Sequence, residues 1–140
     1  MKIRAAKDED LDELRSIYYE SRLSHFTWTE SGQVSLIDYD QATVDERILL
    51  IEEKGAIMAF ISVYEPDCFI HLLFVKPGYE GKGLGSRLLA EVINESRRPL
   101  SLKCISKNQQ ARSFYESHGF SVVGEGLDVH DGPYVVMEKK

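Results

Sequence analysis

Apolar positions recur along the chain with two periods, and the switches between them mark out the elements. Ile3 to Ala5 alternate briefly and predict an edge strand. Leu11, Leu14, Ile17 and Tyr18 fall at spacings of three and four, which predicts a helix to about Leu23. Asp8 is its expected cap, and Asp8, Glu9 and Asp10 occupy a first turn where negative charge is favourable. Residues 24–46 have no clean period; Ser31-Gly32 marks a turn, with a short helix predicted over Val34–Tyr39 or Ala42–Arg47. Ile48–Glu52 and Ala56–Tyr64 read as strands of a hairpin closed by Glu53-Lys54-Gly55. Beyond the turn Glu65-Pro66-Asp67, Cys68–Val75 is almost continuously apolar, the pattern of a central strand. A helix from about Gly83 to Ser96 buries Leu84, Leu88, Leu89, Val92 and Ile93. Pro99 opens a strand over Leu100–Ile105. Asn108 caps a helix whose inner face carries Ala111, Phe114, Tyr115 and His118, and Gly119 stops it. Phe120–Val123 and Tyr134–Glu138 are the last strands, joined across a Gly- and Asp-rich loop.

The resulting order, β α (α) β β β α β α β β, predicts a single α/β domain over residues 1–140. Its sheet is mixed and mostly antiparallel, of six to seven strands, with helices on both faces. The crossover from Val75 to Leu100 makes those two strands parallel and is expected to be right-handed.

Composition adds exclusions. A chain of 140 residues supports one core, and 43% apolar with 29% charged residues is ordinary for a globular domain. No apolar run approaches the roughly 20 residues of a membrane span, and MKIRAAKDED lacks the apolar stretch of a secretory signal, so a cytoplasmic protein without membrane contact is expected. Cys68 and Cys104 lack metal-ligand spacing and read as free thiols; no metal is expected. The net charge of −6 argues against nucleic acid and is compatible with a cationic substrate.

The candidate chemistry begins at Phe74–Ile93, where glycines 78, 81, 83 and 85 separate a predicted strand from a predicted helix. Such a turn presents unpaired N–H groups and the positive end of the helix dipole to an anion. It is not a Walker A loop, since no Gly-Lys-Ser/Thr follows, nor the dinucleotide fingerprint, whose last spaced glycine is missing. A purely structural loop is the alternative. The second constellation is Asn108-Gln109-Gln110-Ala111-Arg112-Ser113-Phe114-Tyr115 followed by His118-Gly119-Phe120, each residue of which also has a reading as cap, core or helix stop.

Together the two blocks resemble the GNAT superfamily of acyl-CoA-dependent N-acetyltransferases. The family's Gln/Arg-x-x-Gly-x-Gly/Ala maps to Glu80-Gly81-Lys82-Gly83-Leu84-Gly85, and its Asn-x-x-Ala-x-x-Phe-Tyr-x-x-x-Gly-Phe maps to Asn108 through Phe120 without a gap. The resemblance covers essentially the whole chain. It implies acetyl-CoA as co-substrate and a bulged strand that splays from its parallel neighbour. Leu73, Phe74 and Val75 would then hold pantetheine through their main chain, and Gly81, Lys82, Gly83, Leu84, Gly85 and Ser86 the pyrophosphate. Asn108 and Tyr115 complete the cofactor contacts it implies. Tyr115 matches the general acid, and the N–H of Leu73 or Phe74 would meet the oxyanion. Glu80 departs from the family's Gln or Arg, which leaves Lys82 to supply positive charge.

For the general base His71 is the candidate, followed by Glu65 or no side-chain base; a core histidine is the alternative reading. The acceptor side is assigned to residues 24–46 and the loop 125–133. There Phe26, Trp28 and Tyr39, with His25, line a pocket or else cover the core edge. Asp38, Asp40, Asp45 and Glu46 attract a cationic amine or are simply solvated. The function expected is acetyl transfer to a primary amine, on a small molecule or peptide, by direct attack in a ternary complex. A non-catalytic CoA-binding module and a nucleotide-dependent enzyme are the competing readings. Homodimers are common among proteins of this resemblance.

Overall fold

In the computed structural model, residues 1–25, 38–97, 99–129 and 132–140 are described. The elements in order are β1 (Lys2–Ala5), a 3-10 turn (Asp8–Asp10), α1 (Leu11–His25), α2 (Asp38–Ala42), β2 (Arg47–Glu53) and β3 (Ala56–Tyr64). A second 3-10 turn (Glu65–Asp67) leads to β4 (Phe69–Val75), α3 (Leu84–Glu95), β5 (Leu100–Ile105), α4 (Gln109–Ser117), β6 (Ser121–Asp128) and β7 (Gly132–Lys139). The strands form one seven-stranded sheet in the order β1-β2-β3-β4-β5-β7-β6, antiparallel except between β4 and β5.

Both faces of the sheet are covered, as the strand and helix periods require. Leu84, Leu88, Leu89 and Val92 of α3 pack against Ile51, Ile61, Leu102 and Met137 on one face. On the other, Leu14 and Ile17 of α1 pack with Tyr39 of α2 against Leu50, Phe60 and Leu72. The β2–β3 hairpin closes through Lys54 and Gly55, at φ 54° and 81°; positive φ at both central residues matches the twist of the flanking strands.

Several expectations need correction. Asp8 does not cap the first helix: Asp10 does the work, its carboxylate accepting the Lys7 N–H at 2.7 Å. The second helix is Asp38–Ala42, straddling the two stretches expected; residues 26–37 lie outside the described residues. The last two strands run further than their apolar cores, to Asp128 and from Gly132. Most of the predicted loop 125–133 is therefore paired strand, because Gly126 leaves room for the Tyr134 ring across the ladder. Among the described residues no helix is long and apolar enough to cross a membrane.

Candidate active site

The site begins with a local irregularity in β4. Ser62 lies opposite Leu72 but Val63 lies opposite Ile70, so His71 is an extra residue with no partner on β3. Ser62 Oγ accepts the Leu72 N–H at 3.1 Å and satisfies the backbone at the bulge. Beyond it the strand regains antiparallel pairing, and Lys76 N–H donates to the Met58 carbonyl at 2.8 Å. By the alternation of such a ladder, Phe74 spends its N–H and C=O on β3, while Leu73 and Val75 turn theirs toward β5.

There β5 offers no partner. Its parallel register with β4 consists of Phe69↔Ser101 and Ile70↔Leu102 and stops. The strands splay, and Leu73, Phe74 and Val75 stay partly exposed although their apolar run predicts burial. The Val75 carbonyl accepts from Ser21 Oγ of α1 at 3.3 Å, which leaves the Leu73 groups and the Val75 N–H lining a gap. An extended ligand with amide groups fits such an edge as an added strand.

At the open end of the gap, Gly83 caps α3 in the left-handed region, at φ 78°, with no side-chain cap. The first helical bond is Arg87 N–H to the Gly83 carbonyl, so the N–H groups of Leu84, Gly85 and Ser86 have no intrahelical acceptor. Gly81 and Gly83 have positive φ, and a Cβ on either would meet nothing within 4 Å, so the loop lies open at the surface. That is the cradle an anion needs. Gly85 is different: its Cβ would sit 3.6 Å from the Phe114 ring, an ordinary contact that an alanine could make between α3 and α4. Accordingly, Gly83→Ala is expected to cost about 1 kcal/mol of left-handed strain, whereas Gly85→Ala should stay within about 0.5 kcal/mol of the parent. Urea unfolding of the two variants checks this.

Glu80, the misfit in the loop, turns its carboxylate back to accept the Gly78 N–H at 2.9 Å, organising the start of the turn. Lys82 and Lys76 hold their ammonium groups over the Tyr79 ring, 5.1 and 5.7 Å from its centroid, and keep positive charge beside the loop. Ser86 Oγ lies 3.1 Å from His118 Nε2.

Across the gap, Asn108 caps α4, its carboxamide oxygen accepting the Ala111 N–H at 3.1 Å. The cap reading of Asn108 is thus what the structure displays, with the amide NH2 left to offer a ligand. Tyr115 packs its ring between Phe114 and Phe120, with centroids 5.2 and 5.9 Å away. Burial holds its hydroxyl well above the ordinary tyrosine range, so it stays protonated at neutral pH.

On the α1–α2 face, His71 is exposed at the bulge and its Nδ1 donates to Glu46 Oε2 at 2.8 Å. Glu65, the other base candidate, pairs with Arg47. Asp38 and Asp40 are bound by Arg22 and Arg15, at 2.9 and 2.6 Å, so their charge is already met. Tyr39 must be corrected: it is only 4% exposed, edge-on to Phe60 at 5.5 Å, and belongs to the core rather than to a pocket wall. Phe26 and Trp28 lie outside the described residues, and the side chain of His25 is likewise not described.

Ser62 and Ser21 escaped the motif reading, and Glu46, expected to attract a cationic amine or be solvated, is instead bound to His71. Ser62 had a signal, as the lone polar side chain in the apolar stretch Ala56–Val63. The others act through tertiary contacts that no local pattern announces.

The comparisons agree with this geometry. The profile of the Acetyltransferase (GNAT) family matches residues 9–120. The chain is 30% identical over 121 residues to the 5-NmdU N-acetyltransferase of Pseudomonas phage PaMx11, covering 83% of this chain and 86% of that one. It is 37% identical over 73 residues to the peptidyl-lysine N-acetyltransferase YiaC of Escherichia coli, covering 51% of this chain and 48% of that protein. In architecture it is similar to yncA of Salmonella typhimurium, solved with its cofactor acetyl-CoA, at a TM-score of 0.77 and 22% identity over 100% of this chain and 93% of the other. The family match spans the glycine turn, the Asn108–Phe120 block and the splayed β4–β5 pair, and the chain belongs to the GNAT family of acetyltransferases.

Proposed function

We propose that this protein transfers the acetyl group of acetyl-CoA to a primary amine by direct attack within a ternary complex. The observation that carries the reading is the edge of β4 that β5 leaves open at Leu73 and Val75, ending at the N-terminus of α3, which has no side-chain cap. The first suits the amides of pantetheine, and the second the pyrophosphate, through Gly81 to Ser86.

The roles follow from the chemistry. The Leu73 N–H, turned into the gap, stabilises the oxyanion formed as the amine nitrogen bonds to the thioester carbon. His71 Nε2 takes the proton that the amine sheds, directly or through a water. The carbon–sulfur bond then breaks, and the Tyr115 hydroxyl gives its proton to the departing thiolate. The products are the N-acetylated amine and free CoA; exchange with solvent returns Tyr115 and His71 to their starting states. The acceptor is a small molecule or a peptide amine, in keeping with a relative named for peptidyl-lysine and with a net charge of −6.

Acetyl-CoA at 100 times its dissociation constant is expected to stabilise the fold by about 2.7 kcal/mol, read as a rise in melting temperature. No rise at millimolar acetyl-CoA overturns the reading. A rise without CoA release, across a panel of small amines and lysine peptides, favours a non-catalytic CoA-binding module instead.

A further inference from the structure

We infer that Glu46 is a positioning residue for His71, holding the imidazole with Nδ1–H toward the carboxylate and Nε2 toward the acceptor; this rests on the reading of His71 as the base. The carboxylate reaches β4 from the lead-in to β2. A turn after α2, with Asp45 in the left-handed region at φ 62°, brings Glu46 to the bulge. Its side chain is 7% exposed, and Oε1 has no hydrogen-bond partner among the described residues. Burying a carboxylate with one oxygen unsatisfied is costly unless the other oxygen has a strong partner. The partner is the His71 ring, 2.8 Å from Oε2.

The direction of that bond is settled by chemistry. A carboxylate only accepts, so Nδ1 carries the hydrogen and Nε2 presents its lone pair. A free imidazole has no such instruction. The bulge supplies the other half of the arrangement. Without it, strict alternation would set His71 and Leu72 on opposite faces. With it, His71 stays exposed while Leu72 enters the α1–α2 core. His71 also lies two residues before Leu73, about 7 Å along the strand, a span suited to proton transfer through one water. When Nε2 accepts the proton, the imidazolium faces a fixed negative charge across Nδ1–H, the orienting role that a buried carboxylate plays for a catalytic histidine.

The test combines imidazole nitrogen NMR with turnover of acetyl-CoA on an amine that the enzyme accepts. In the wild type, His71 should appear as the Nδ1–H tautomer. Glu46→Leu should shift it toward Nε2–H and lower kcat at least tenfold, with little change in the KM for acetyl-CoA. Glu46→Gln keeps an acceptor oxygen and should recover part of both. In a His71→Ala background, Glu46→Leu should have no further effect. An unchanged tautomer in Glu46→Leu, or an equal loss of rate in both backgrounds, overturns the positioning role. Full activity of His71→Ala overturns the base assignment, and with it the catalytic meaning of the dyad; the tautomer measurement separates these two failures. Should Glu46→Leu not fold, Glu46→Gln against wild type in both histidine backgrounds carries the same comparison.

Discussion

Replacing Tyr115 with phenylalanine is expected to lower turnover about 100-fold, the low end of what general acid catalysis supplies, while leaving the acetyl-CoA-induced rise in melting temperature intact. The ring is held by Phe114 and Phe120 through edge contacts that phenylalanine can make equally well. The substitution therefore deletes a proton donor and little else. Burial raises the hydroxyl's pKa above the ordinary value of 10, so the acid form prevails across the neutral range. Activity that depends on it is lost only as pH rises through that elevated value. A thiolate is already a fair leaving group, which is why the expected loss is modest. Unchanged kcat in Tyr115→Phe would remove the acid role and leave the ring as a packing element at the cofactor gap. A loss confined to acetyl-CoA affinity would assign the hydroxyl to binding instead.

The architecture was readable because each strand and helix carries its own period, and because the strand–helix–strand unit forces β4 and β5 to be parallel. Periodicity cannot show where two parallel strands separate. Leu73, Phe74 and Val75 read as interior, and only the two-pair register with β5 reveals that they face a gap. The loop before α3 was visible through its glycines, yet their separate situations were not: Gly83 sits at a left-handed backbone angle, whereas Gly85 lies where a Cβ would make only an ordinary contact with Phe114. Glu80 was a misfit in sequence because its partner, the Gly78 N–H, is a backbone group with no letter of its own. Tyr39 misled for the opposite reason. An aromatic residue in an unpatterned stretch resembles a pocket wall until its neighbours on the sheet are known. The acidic residues 38 and 40 resembled a cation trap, but Arg22 and Arg15 already answer them.

Asp10→Ala is expected to destabilise the protein by about 3 kcal/mol, a fall of roughly 10 °C in melting temperature. Its carboxylate is 7% exposed and receives both guanidinium arms of Arg4, at 2.7 and 2.9 Å, along with the Lys7 N–H. Removing it leaves Arg4 to Glu52 and the Ala5 carbonyl and strips the start of α1 of its cap. Asp10→Asn keeps the cap but not the ion pair, so it should fall between the parent and Asp10→Ala. The pH dependence has a definite sign. Arg4 draws the Asp10 carboxyl down from 3.8 to about 2, so the folded state binds this proton less readily than the unfolded chain. The stabilisation is therefore complete above about pH 4 and is lost as pH falls toward 2. It amounts to about 1–2 kcal/mol once solvent screening near the surface is allowed for. Denaturant unfolding of wild type and Asp10→Asn between pH 5 and pH 2 should show their difference shrinking over that window; a difference independent of pH would mean that packing, not the ion pair, holds the corner. The same corner seats α1 on the sheet, and α1 carries Ser21 to the Val75 carbonyl at the edge of β4 that faces the gap. Loosening Asp10 should therefore weaken acetyl-CoA binding more than an equal loss of stability at the β6–β7 hairpin, which pairs at the far side of β5 and has no comparable contact with β4.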